Sequence, residues 1–387
     1  MQIKLFVLKF LIFTFNLQIN LIAAQFNPGD RLVIKESVVD FSTSCLGSRL
    51  ATLNAPASPE VRKCHRAHQG LFNEIVNYDT CLDTTIQISY KNIIYGFDEQ
   101  TKQPLQSFWT SANQVALIAD LAPELVAAIP TENTPNITLI YPTHNLSVGT
   151  KLVRVPELDQ VDSYAVKINN YAQNICETVQ IKKINSLIDQ PRTKVEARVL
   201  FVNILSKLID RVSHQQSDAT GVSNLIIPYV WGGSSFITAN QITDFSQING
   251  AWERPKIKAI YTGYDCSELV MRFAKIAGLD FPWKNSKTIS DCCPVLTEQD
   301  QIEIGDLIWV PGHIMIISDI INPEIIHARS YSGGYGCVHK GPFAETIVNA
   351  NSITELRELY VNKQPLILTD KLGNKREYTE FKILKLN

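Results

Sequence analysis

The chain lacks a strong charge of either sign. Its 36 Lys and Arg stand against 38 Asp and Glu, a formal net charge of −2 over 387 residues, and no long run of one sign occurs. A polyanion-binding surface of the kind nucleic acid demands is therefore not expected. Past the first two dozen residues there is also no apolar run approaching the roughly 20 residues that a bilayer span takes. Paired metal-ligand spacing is missing too: neither "CHRAH" (Cys64, His65, His68) nor "CVH" (Cys337, His339) belongs to a C-x2-C with H-x3-H pattern. Zinc is thus not expected, and nothing implies another cofactor. No internal repeat of short fixed period is visible, although the β-rich half could hold two distant duplicates.

What is present begins with "MQIKLFVLKFLIFTFNLQINLIAAQF": Lys4, an apolar run from Leu5 to Leu17 broken only by Lys9, then Ala23 and Ala24 before a polar change. That pattern predicts an export signal over 1–24, cleaved near Ala24, and a periplasmic or secreted protein that leaves no membrane anchor behind. No Cys stands at the cleavage point, which argues against a lipoprotein. Eight cysteines follow, at 45, 64, 81, 176, 266, 292, 293 and 337. In an oxidising compartment they could pair, but setting Cys266 aside leaves an odd number and the pairing is open. Two N-x-[ST] triplets, at Asn136 and Asn145, are frequent by chance and establish no glycosylating host.

From about Gln25 to Lys182 the chain reads as short alternating runs between turn residues, an all-β region. Run length and spacing fit two small barrels, over 25–130 and 131–185, with the break near "AAIPTENTPN". "QPRTKVEARVLFVNILSKLIDRV" then repeats apolar residues at helical spacing through Val195, Val199, Val202, Leu205, Leu208 and Ile209. A helix there opens a last domain over 190–370, in which a second helix precedes the strands "DLIWV", "HIMIIS" and "EIIHARSY". Helix first and sheet after is an α+β order.

Within "TGYDCSELVMRFAKIAG", Leu269, Phe273, Ile276 and Ala277 make one apolar stripe and Gly278 a natural stop. Cys266 then occupies the first turn, where unpaired N–H groups and the helix dipole favour a thiolate by roughly 0.3–1 kcal/mol. So small a shift needs a base, most often histidine. His313 opens a strand buried on both faces, and His327 lies 14 positions on in the next one. If the turn at Asn322-Pro323 makes these strands antiparallel neighbours, the two imidazoles can stand side by side.

"PYVWGGSS", "TGYDCSELV", "GDLIWVPGHIMIIS" and "IIHARSY", in that order, resemble the NlpC/P60 cysteine peptidases of bacterial cell walls, over about Val195 to Leu366. The resemblance implies a papain-like α+β domain with Cys266 as nucleophile, His313 as general base and His327 as the residue that orients it. Tyr229 would assist the oxyanion, and Asp265 and Ser267 would line the substrate site. The β-region, through "HRAHQGLFNEIV" and "IYPTHNLSVGTKLVRV", resembles bacterial SH3-like modules that precede such a domain. The implied substrate is the bond from γ-D-glutamyl to the diamino acid of peptidoglycan stem peptides, in the wall or in released murein peptides. "KNSKTIS" (Lys284 to Ser290) matches a substrate-facing stretch, and Trp231 is expected in packing.

Two departures bear on activity. Glu268 stands where most of the family has Gly, which places a carboxylate in the first turn: it could complement the dipole, raise the thiol pKa or narrow the cleft. Cys266 follows Tyr229 by 37 positions, and the insert 236–260 reads equally as a lid or an inert loop. Two other classes stay open: a wall-binding protein with a weakened catalytic domain, and an acyltransferase on the same scaffold.

Overall fold

The structure, a computed structural model, describes residues 26–45, 66–214, 226–237, 262–330, 333 and 335–386, with the backbone of 247–248 and 251–252. The expected export signal, Cys64, His65 and nearly all of the 236–260 insert lie outside the described residues.

Seven strands form the first sheet: β1 (Arg31–Ile34), β2 (Val38–Ser42), β3 (Arg66–Leu71), β4 (Ile75–Leu82), β5 (Thr85–Ser89), β6 (Ser107–Ser111) and β7 (Val115–Leu117). Their order is β3-β2-β6-β5-β4-β1-β7, with antiparallel pairing throughout. Period-two patterning is the cause. In β5, Ile86 and Ile88 are buried while Gln87 between them is not fully so. Edge strand β3 breaks that pattern, because all six of its residues, Arg66, His68 and Gln69 included, are buried.

The second sheet holds β8 (Asn136–Leu139), β9 (Lys151–Arg154), β10 (Ser163–Asn170), β11 (Ile175–Lys182) and β12 (Ser186–Ile188), in the order β11-β10-β9-β8-β12. Ile137, Leu139, Leu152, Val166 and Ile181 give it a core of its own, which also takes in Phe72 from the first sheet. The first sheet spans residues 31–117 and the second 136–188, its last strand lying past the boundary at 185 expected from the sequence.

Helix α1 (Lys194–His214) starts on a capping box: Glu196 N donates to Thr193 Oγ1 and Thr193 N to Glu196 Oε2. Its buried face is not the predicted stripe. Val195 and Val199 are 71% and 39% exposed, while Ala197, Phe201, Ile204, Leu205, Leu208 and Val212 are buried. The true stripe begins two residues later, and Val202, Leu205 and Leu208 fall within or beside it.

After α1 come β13 (Ser234–Ser235) and β14 (Gly263–Tyr264), paired with each other, then helices α2 (Cys266–Ala277) and α3 (Ser286–Cys292). The last sheet contains β15 (Leu307–Val310), β16 (His313–Asp319), β17 (Glu324–Arg329), β18 (Cys337–Pro342) and β19 (Lys382–Leu384), in the order β18-β17-β16-β15-β19. It is covered on both faces. Ile314 and Ile316 join the main core with α1, α2 and the first sheet, whereas Met315 and Ile317 join a second cluster with Phe343 and Leu356. First sheet and last domain therefore share one continuous core.

Strand β3 is the seam between them. The "WGG" turn lies directly on it: Gly232 has φ +70°, and a Cβ there would sit 2.3 Å from the carbonyl oxygen of Arg66. Gly232→Ala should therefore cost upwards of about 2 kcal/mol in urea unfolding, since both the left-handed backbone and the close approach become strained.

Candidate active site

Asp265 is the N-cap of α2. Its Oδ1 accepts from Ser267 N (3.0 Å), Glu268 N (2.8 Å) and the Ser267 hydroxyl (2.8 Å). Its Oδ2 accepts from Gly232 N (2.9 Å), tying the helix start to the "WGG" turn. These contacts are all internal, and Asp265 is only 6% exposed. The helix ends as its sequence suggests, on Gly278 at φ +91°, with Leu279 N donating to Ala274 O and Gly278 N to Lys275 O.

Cys266 is the first residue of α2 and stays partly open to solvent. The nearby backbone N–H groups of Ile314, Ser267 and Cys266 itself favour the thiolate. Loss of water outweighs them, the carboxylate of Asp265 adds to it, and the thiol is pushed up to about 12. Ile314 is the residue after His313, so the sulfur is sensitive to the start of β16.

His313 follows Gly312 (φ +84°) and opens β16. Strands β16 and β17 are antiparallel neighbours, joined by a turn in which Asp319 Oδ1 accepts from Ile321 N and Asn322 N. The tight turn sets the imidazoles together, with His313 Nε2 3.1 Å from His327 Nδ1. His327 is 1% exposed. Desolvation first, then Arg329, lowers His313 to about 3, while desolvation and four cationic or imidazole neighbours hold His327 well below 6.5. The partial exposure of Cys266 and His313 moderates both shifts. At rest the sulfur is a thiol and the ring neutral. With Nε2 engaged by His327, Nδ1 is the nitrogen of His313 left for chemistry.

Tyr229 bridges Tyr264 in parallel pairing and donates its N–H to Gly336 O (2.8 Å), so its backbone runs beside the approach to Cys266. Trp231, expected in packing, leaves 40% of its surface exposed, and its carbonyl accepts from Arg66 Nη1 (3.3 Å). The "KNSKTIS" stretch, expected to face substrate, largely turns inward. Lys284 is buried, Asn285 caps α3 through Thr288 N (2.9 Å), and the Thr288 hydroxyl donates to Tyr95 O (3.0 Å). Ile94 N donates to Pro282 O and Lys284 N to Ile94 O, so a first-sheet loop has claimed this segment.

Glu268 lies away from the sulfur's electrostatics. A glutamate at the third helical position would ordinarily reach back to the N-cap N–H, but Asp265 N already donates to Gly233 O (3.1 Å). Glu268 turns instead to β3, fully buried, where Oε1 meets His68 Nδ1 (2.8 Å) and pairs with Lys284. The like charge that raises the Cys266 thiol comes from Asp265. Beside it Arg272 donates to Glu74 Oε1 (3.0 Å), Gln69 O (2.9 Å) and Ser234 O (2.9 Å). Sequence reasoning missed this seam. The available signal was the polar run "HRAHQ" in a region otherwise alternating.

The seven described cysteines are unbridged thiols, and Cys64 lies outside the described residues. Among the described residues no three His, Cys, Asp or Glu side chains converge as a metal site, and no helix is long and apolar enough to cross a membrane.

No protein-family model matches the chain, and no curated protein does. Among solved structures it is similar to NlpC1 from Trichomonas vaginalis, with TM-score 0.32 and 12% identity over 83% of this chain and 90% of that one. It is similar also to NlpC2 from Trichomonas vaginalis, with TM-score 0.32 and 12% identity over 93% of this chain and all of the other. Likeness at that level supplies no chemistry, which has to come from the side chains.

Glu268→Ala should cost about 3–5 kcal/mol in denaturant unfolding, because it removes the buried carboxylate that both His68 and Lys284 meet. Glu268→Ala combined with Lys284→Met should recover most of that loss. Acid should act through His68 and His327, both held below 6.5 by burial. Their stabilising effect is complete above the unfolded value of 6.5 and is lost as pH falls beneath it, where only the unfolded chain takes up protons. Urea midpoints measured from pH 7.5 down to 5 should therefore fall, by up to about 1.4 kcal/mol per pH unit for each ring, and His68→Asn should flatten the slope.

Proposed function

We propose that this chain is an exported cysteine endopeptidase acting on peptidoglycan, with two SH3-like modules over 25–130 and 131–185 ahead of a catalytic domain over 190–370. The bond it cuts joins γ-D-glutamyl to the diamino acid of murein stem peptides. One observation carries the reading: His313, bonded to His327, opens a strand whose next N–H, that of Ile314, favours the thiolate of Cys266 at the first position of a helix. Three of the four motifs that resemble NlpC/P60 peptidases contribute the members of that arrangement.

In this mechanism the Cys266 sulfur attacks the amide carbonyl as its proton passes to His313 Nδ1. The resting shifts run against a preformed thiolate–imidazolium pair, so transfer accompanies attack. His327 Nδ1 accepts the Nε2–H of His313 and steadies the imidazolium. That ring then gives its proton to the departing amine, leaving a thioester that water cleaves with the same imidazole as base. The Cys266 N–H and the Tyr229 hydroxyl stabilise the oxyanion. Asp265 and Ser267 act by holding the helix start.

Mass spectrometry of defined tri- and tetrapeptide muropeptides, with free and with blocked N-termini, tests the reading. Release of the diamino-acid fragment is the expected result, and Cys266→Ala should reduce turnover by at least about a thousandfold with an unchanged melting temperature. Turnover retained in that variant would remove Cys266 as nucleophile. Binding without cleavage would point to a wall-binding protein, and a new amide product to an acyltransferase.

A further inference from the structure

The His313–His327 pair does not end at His327. Nδ1 of His327 is spent on His313, and its Nε2 is buried with no hydrogen-bond partner among the described residues. A nitrogen left so is costly to bury. Directly across the β17–β18 ladder from His327 stands His339, the ring centroids 5.8 Å apart. Nε2 of His339 in turn lies 3.1 Å from Glu345 Oε2. Position 341 is cleared for that contact: a Cβ on Gly341 would come within 2.8 Å of Glu345 Oε2 and 2.9 Å of His339 Nε2.

Donor and acceptor roles then follow from one end to the other. A carboxylate only accepts, so Glu345 requires the proton of His339 on Nε2 and leaves Nδ1 with a lone pair. That lone pair can take the Nε2–H of His327 after a small side-chain rotation. His327 Nδ1 is then an acceptor, as the Nε2–H of His313 requires, and His313 Nδ1 is left as the basic nitrogen. We infer that His339 and Glu345 are positioning residues, which fix the tautomers of His327 and His313 so that the base faces Cys266. The inference rests on the peptidase reading only for its catalytic consequence. The tautomer pattern stands or falls by itself.

The test uses the full chain with 15N-labelled histidine, its ring signals assigned by single substitutions. At pH 7.5 His313, His327 and His339 should each show the Nε2–H tautomer. Glu345→Leu and His339→Leu should mix the tautomers of His327 and His313, whereas Glu345→Gln, which keeps an acceptor for His339, should preserve them. On a muropeptide substrate the two Leu variants should lower kcat roughly tenfold with KM little changed, and Glu345→Gln should restore it. Unaltered tautomers in both Leu variants, or a bare Nε2 on His327 in the unaltered chain, would overturn the inference. So would mixing produced by Tyr335→Leu and not by His339→Leu, because the acceptor would then be the Tyr335 ring, 5.4 Å from His327. Correct tautomers in a chain that cleaves no muropeptide would keep the relay and remove the peptidase reading.

Discussion

The carboxylate of Asp265 is the constraint on which the site depends. Its Oδ1 holds the first turn of α2 and its Oδ2 holds Gly232. The helix that carries Cys266 is thereby fixed to the turn that leads away from Tyr229. An N-cap on a free helix contributes typically about 1 kcal/mol. Here the same bonds also join two segments 33 residues apart in sequence. The arrangement has an electrostatic cost, since burial and then this carboxylate raise the Cys266 thiol.

A second constraint works at longer range. Strand β3 has a wholly buried polar face because the last domain packs on it, with His68 against Glu268, Gln69 against Ser234 and Ser235, and Arg66 against Asp40 and the Trp231 carbonyl. Buried ions are tolerated only when each finds a partner. Asp40 answers Arg66 within the first sheet, while Glu268, Ser234 and Ser235 answer His68 and Gln69 from across the seam, so the first sheet and the nucleophile helix stabilise each other. The main core accordingly includes residues from Leu32 to Leu386.

Much of the last domain was legible in advance. The apolar stripe of α2, its stop at Gly278, the two-sided burial of β16 and the hairpin that brings His313 to His327 all follow from local patterns that the structure repeats. The α1 stripe was misplaced because Val195 and Val199 also recur at helical spacing, and a pattern cannot say which of two apolar faces meets a partner. The inward turn of the "KNSKTIS" stretch was hidden for a related reason. Whether a lysine is buried depends on what the first sheet places beside it.

The sequence by itself determined which residue types can do chemistry and where each sits on its own element: a cysteine opening a helix, one histidine opening a strand and another near the end of the next. Those are local facts, settled by periodicity and by capping and turn chemistry within a few residues. Only the tertiary structure decided that Glu268 answers to His68 and Lys284, that Asp265 spends its oxygens on its own chain, and that His339 stands behind His327. Such pairings join positions as many as 200 residues apart. They are chosen by which buried polar groups find partners once the sheets have closed, and no short-range pattern encodes that.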